Sequence, residues 1–218
     1  NYVGRNYAIA VPNGTMAIYL SLLASGVKKG DRVAVPNLTM IATINAVLWI
    51  GAEPVLIDVN ESLCMSYEKL IKVKKLSAVI YVPLNGRTED GLLIEKWCKS
   101  NGILLIEDSA HAMGSKYNQL KNCGQLGDVS VLSLTPHKLI TTGQGGVILI
   151  DKLKYYKEAM KIKTFNRRKD KLDWHDGFGL NFKFTDLQAT LGISQFKTLE
   201  NRINLKREIL KKYSLIDS

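Results

Sequence analysis

Lys138 stands between two apolar runs. The segment VLSLTPHKLITTGQGGVILI, residues 131–150, begins and ends as strand, and its lysine is followed by Thr141, Thr142, Gly143, Gln144, Gly145 and Gly146. An amine held there can form a covalent bond to a carbonyl carbon and move protons, although a lysine can equally lay its stem on the surface and leave its charge in water. Upstream, the apolar run ILLIED closes on Glu107 and Asp108, and His111 follows one helical turn after Asp108. A carboxylate at a buried strand end either holds a cationic ligand group or caps the next helix, and a histidine beside it either reaches the same ligand or is structural. The third place is VPNGTMAI, where Gly14, Thr15 and Met16 open a helix behind an apolar strand. Free N–H groups and a hydroxyl at a helix N-terminus suit an anion, whereas Asn13 or Thr15 as an ordinary cap needs no ligand.

Each feature alone has a plain structural explanation. Together, an amine, a carboxylate and an anion cradle meet the needs of pyridoxal 5′-phosphate: its aldehyde, its protonated pyridine nitrogen and its phosphate. The glycines after Lys138 would then let backbone pass close to the cofactor or to a partner subunit. The stretch GQGG is not a dinucleotide fingerprint.

Elements must bring these three places together. Short apolar runs recur at residues 7–11, 32–36, 53–58, 78–82, 103–108, 129–134 and 146–150. Most are continuously apolar, as suits strands covered on both faces. Helical patterns lie between them and close at Gly26, at Gly51 and at Asn101-Gly102. The alternation predicts a three-layer α/β/α sandwich on a mostly parallel sheet, with ligands beyond the carboxyl ends of the strands. After Asp151 the spacing predicts a helix, then the basic run KIKTFNRRKDK (161–171), then one long amphipathic helical segment from Asp186 nearly to the end. We read residues 1–218 as one cofactor-binding domain, incomplete at both ends, whose final helix leads toward a further, C-terminal domain.

The bulk composition narrows the function. The chain is 46% hydrophobic, enough for a real core, and its formal net charge is +10. A nucleic-acid surface is not expected, because the lysines are scattered and few stand beside aromatics. The basic run reads as a solvated loop or as a contact for an acidic ligand. Cys64, Cys98 and Cys123 are widely spaced, without metal-ligand spacing, and read as free thiols of a reducing cytoplasm. NYVGRNYAIA has no signal core, and the apolar stretch 38–52 is too short for a membrane span and carries Thr39, Thr43 and Asn45.

Four blocks, in order, resemble the DegT/DnrJ/EryC1/StrS family of pyridoxal-phosphate sugar aminotransferases: NGTMAIYLSLLASGVKKGDRVAVPNLTMIATINAVLWIGAEPVLIDV, IEDSAHAMGSKY, GDVSVLSLTPHKLITTGQGGVIL and GLNFKFTDLQATLGISQFKTL. The resemblance implies the large domain of the fold type I transferases. It implies that Lys138 carries the cofactor and moves the proton, that Asp108 pairs with the pyridine nitrogen, and that His111 contacts the ring hydroxyl. Gly14, Thr15, Met16 and Ser133 correspond to the phosphate site, and Asn181 to a residue reaching the phosphate of the neighbouring subunit. A homodimer with shared sites is therefore expected. Met40 stands where many members stack an aromatic ring. The wording NLTMIATINAV and TTGQGG resembles the perosamine-synthase-type members, which use glutamate to aminate a GDP-linked 4-keto-6-deoxy sugar. Dehydratases of this fold carry histidine at the lysine position, and His137 does not fill it. A cofactor-binding relative without turnover is the other alternative.

Overall fold

The structure is a computed structural model describing residues 2–168, 170 and 173–214. The first half alternates strand and helix: β1 (Tyr7–Val11), α1 (Gly14–Ala24), β2 (Arg32–Pro36), α2 (Ile41–Ile50), β3 (Glu53–Ile57), α3 (Tyr67–Leu70), β4 (Ala78–Tyr81) and α4 (Gly91–Ser100). Then follow β5 (Leu104–Asp108), the short pair β6 (Lys116–Tyr117) and β7 (Lys121–Asn122), β8 (Val129–Ser133) and β9 (Gly146–Ile150). Three helices complete the described chain: α5 (Leu153–Lys163), α6 (Asp186–Phe196) and α7 (Leu199–Ser214).

Seven strands form one sheet in the order β1-β9-β8-β5-β4-β2-β3. The pairs β2–β3, β2–β4, β4–β5 and β5–β8 are parallel, and β9 runs antiparallel to both β8 and β1. One strand therefore opposes six, as the continuous apolar runs predict. Alternate side chains feed two cores. Val33, Val35, Ile80 and Ile106 pack under α1, α2 and α5. Their neighbours Ala34, Val79, Tyr81 and Leu105 pack under α3, α4 and the β6–β7 pair. Helices on both faces make the three-layer sandwich.

The long segment from Asp186 is two helices rather than one. Thr198 N–H donates to Gln195 O, an i to i−3 bond that tightens the turn out of α geometry. The break lets α7 bury Leu199 and Ile203 against Leu134 and Ile140, while α6 buries no residue within the described chain. Lys169 and Lys171 of the basic run lie outside the described residues. Its two arginines are matched locally, Arg167 with Asp173 at 3.0 Å and Arg168 with Asp170 at 2.9 Å. Among the described residues no helix is long and apolar enough to cross a membrane.

Candidate active site

Loops from the carboxyl ends of β1, β5 and β8 converge at one edge of the sheet, where ligands of open α/β sheets bind. β5 and β8 are parallel neighbours, with Asp108 opposite Val131. β9 links β8 to β1: Gly146 faces Ser133 on one side and Val11 on the other. This row sets Ser133 beside the first turn of α1. The approach tolerates no side chain at 146, since a Cβ there would lie 2.3 Å from Asn13 O and 2.9 Å from Gly14 N. A Cβ on Gly14 would stand 3.1 Å from Ser133 Cβ. Within this chain, then, the glycines after Lys138 serve the passage of β9 beneath α1, and the expectation that they admit a cofactor or partner is replaced by that close packing.

α1 starts from Asn13, whose Oδ1 accepts the Met16 N–H at 2.9 Å. Asn13, not Thr15, is the cap, and the Met16 N–H expected for the anion site is already satisfied. Gly14 and Thr15 contribute the first two N–H groups of the helix, which have no intrahelical acceptor. Both line a cavity of about 300 Å³, together with Met40, Asp108, His111, Ser133 and Lys138. Met16 is not part of its lining, and neither is Asn181, which is exposed on the segment bridged to Thr164.

Asp108 is 4% exposed. Its Oδ2 accepts from Thr43 Oγ1 at 2.9 Å and its Oδ1 from the Ala110 N–H at 3.2 Å. Burial outweighs these bonds and pushes the carboxyl pKa above its ordinary value. Burial likewise pushes the Lys138 ammonium down, with Asp108 opposing. For both groups desolvation exceeds mutual attraction, so the amine is readily freed of its proton and the carboxylate lacks a full counter-charge. His111 stands partly exposed with Nδ1 at 3.2 Å from Asn85 Oδ1. Partial burial of its ring, then the charge of Lys138, lowers its pKa and favours the neutral imidazole.

Two residues escaped the sequence reading. Thr43 is fully buried on α2 and holds Asp108, with Thr39 Oγ1 3.1 Å behind it. Its signal was present: Thr43, Ala46 and Val47 are the buried residues of α2, spaced i, i+3 and i+4. Glu107, on the face opposite Asp108, accepts from Ser109, Tyr117, Gly124, Leu126 and Ser130 at 2.6–3.0 Å. Ser130 also accepts from Arg5 at 2.9 Å, and Arg5 reaches Asp151 at 2.7 Å. This network ties the 109–126 loop beneath the site.

The residues present fit pyridoxal phosphate. An under-compensated buried carboxylate calls for a cation such as a protonated pyridine nitrogen. The first turn of α1, with the Ser133 hydroxyl against it, suits the phosphate. Lys138 lines the same cavity with an amine whose pKa is lowered.

The model of the DegT/DnrJ/EryC1/StrS aminotransferase family matches residues 1–216. A GDP-perosamine synthase of Escherichia coli O157:H7 is 38% identical over 210 residues, which is 95% of this chain and 57% of that protein. Among solved structures, a DegT DnrJ EryC1 StrS aminotransferase from Brucella abortus superposes with a TM-score of 0.90 at 28% identity, over 97% of this chain and 59% of that one. The structure of NtdA from Bacillus subtilis with bound cofactor PMP gives a TM-score of 0.83 at 29% identity, over 91% and 46%. The chain thus spans little more than half the length of the curated relatives it matches.

Proposed function

We propose, since this chain belongs to the DegT/DnrJ/EryC1/StrS aminotransferase family, that it is the cofactor-binding domain of a pyridoxal-phosphate transaminase moving an amino group from glutamate to a nucleotide-linked 4-keto-6-deoxy sugar. The observation that carries this is the single cavity lined by Lys138, Asp108 and the first turn of α1. Similarity to GDP-perosamine synthases supports the sugar and its nucleotide.

When bound, the cofactor supplies an electrophilic carbon for amine exchange and a ring that draws off electrons. The chain does the rest. Lys138 Nζ holds the cofactor at rest. Once displaced by glutamate, it takes the proton from the donor's α-carbon, a task its lowered pKa favours. Asp108 keeps the ring nitrogen protonated, and Thr43 fixes the carboxylate that does so. Gly14, Thr15 and Ser133 bind phosphate, His111 meets the ring hydroxyl, and the Met40 thioether packs on the ring. The second half-reaction runs these transfers in reverse on the sugar ketone.

The working unit is a homodimer, in which Asn181 reaches the partner's phosphate. Support comes from its exposure outside its own cavity and from the apolar residues Ile41, Leu48 and Trp49, each more than half exposed on α2 beside Met40. Mixing Asn181→Ala with Lys138→Ala chains should restore activity, because one site of each mixed dimer keeps both residues. Buried free thiols at Cys64, Cys98 and Cys123 fit a cytoplasmic setting. The function is tested by supplying cofactor, L-glutamate and a panel of nucleotide-linked ketosugars. Amination of a GDP-linked 4-keto-6-deoxy sugar with release of 2-oxoglutarate is expected. Turnover of glutamate with amination of no sugar in the panel would overturn it.

A further inference from the structure

Next to the Lys138 cavity lies a wider cleft of about 1030 Å³, which shares His111, Ser133, His137 and Lys138 with it. Its near wall is the loop after β5, and its far wall is α7, through Ile203, Lys206, Arg207 and Leu210. The charge of the lining is of one sign. Lys116, Lys138, Lys206 and Arg207 line it, with His111 and His137, and no aspartate or glutamate does. Among the described residues none of these four cations forms an ion pair, whereas Lys69, Lys121, Lys152, Arg167 and Arg168 all do. Arg207 is oriented instead by a 3.2 Å bond to the Gly114 carbonyl, a contact that leaves its charge uncancelled.

Uncancelled cations facing each other across a cleft repel, and an anion between them relieves that repulsion. A ligand that only needed Lys138 would not require Lys116, Lys206 and Arg207 beyond it. The volume is also at the upper end of small-molecule sites, larger than an amino acid needs. Met113, Leu139 and Ile203 leave part of the lining apolar, so the ligand carries an uncharged portion beside its charge.

We propose that Lys116, Lys206 and Arg207 form a subsite for the diphosphate bridge of the nucleotide-linked substrate, on the side of the cavity where His111 and Lys138 meet both spaces. The proposal rests on the functional reading above for the identity of the substrate, and on the cleft for its place. A carboxylate donor shares the chemistry of a doubly charged anion, so the test separates the two. Binding of inorganic pyrophosphate, GDP and L-glutamate is measured by calorimetry on the chain, for the wild type, the Lys206→Gln/Arg207→Gln variant and Lys116→Gln. Lys157→Gln on the outer helix α5 serves as the control. Pyrophosphate and GDP should bind the wild type, weaken with salt, and lose about tenfold or more in affinity in the cleft variants. The control should match the wild type, and melting temperatures should show all variants folded. Unchanged pyrophosphate and GDP affinity in folded variants overturns the subsite, as does a loss confined to glutamate. Diphosphate binding that depends on the cleft, in a protein that aminates no sugar, would uphold the subsite and refute the transaminase reading. Sugar amination with an unaltered KM in the cleft variants would do the reverse.

Discussion

Asp108→Asn should stabilise the cofactor-free protein while removing its function. The substitution is nearly isosteric, and the surroundings accept it. The Asn Oδ1 can keep the Ala110 N–H, and its amide can donate to Thr43 Oγ1, which now accepts where it had donated. What disappears is a buried charge. Burial raises the Asp108 pKa above its ordinary 3.8, so the folded state favours the protonated acid. The stability from this group is full below 3.8 and is lost as pH rises through the raised folded value. The asparagine variant suffers no such loss. A buried group whose desolvation is not fully repaid costs about 1–3 kcal/mol, more when charged. At about 2–4 °C per kcal/mol for a chain of this size, the melting temperature should rise by about 2–12 °C above about pH 7. Thermal unfolding of both proteins without cofactor, from about pH 4 to about pH 8, reads the gap directly. It should be small at the acid end and widen with pH. An asparagine variant that is less stable at the upper end, or a gap that ignores pH, would show that Lys138 already repays the carboxylate.

Gly146→Ala should cost about 3 kcal/mol or more, because its Cβ meets the Asn13 and Gly14 backbone and cannot be relieved by a rotamer change; chemical denaturation and cofactor titration should show loss of stability and of phosphate binding together. Glu107→Ala should cost about 2–6 kcal/mol, since the Gly124 and Leu126 N–H groups each lose an acceptor at about 1–3 kcal/mol apiece. Glu107→Gln should cost less in the same urea titration, as its amide can turn toward the Ser109 and Tyr117 hydroxyls, which rotate to accept, and leave its oxygen for both backbone groups.

The strands were legible because they are buried on both faces and so read as unbroken apolar runs. Asp108 and Lys138 were legible for the converse reason: each interrupts or follows such a run where no core would place it. The β6–β7 pair escaped, since its strands have two residues each and no period can be read from two. The break at Thr198 escaped because the amphipathic pattern continues across it. What turns the chain there is the pocket under Leu134, far away in sequence. Thr43 counted only as a polar residue disfavouring a membrane span, and its place on the buried stripe of α2 went unused. The Glu107 network draws its donors from residues up to 23 positions away, a pattern without local signature. Met16 was included by adjacency, and only the Asn13 bond shows that its N–H is taken.

The central claim is that Lys138 is the residue that binds pyridoxal phosphate covalently. The chain is incubated with pyridoxal phosphate, reduced with borohydride, digested and mapped by mass spectrometry. The account predicts the phosphopyridoxyl mass on the peptide containing Lys138, and its loss in Lys138→Arg, whose guanidinium forms no such bond. A label spread over surface lysines such as Lys72 or Lys157, with Lys138 unmodified in a folded protein, would contradict it.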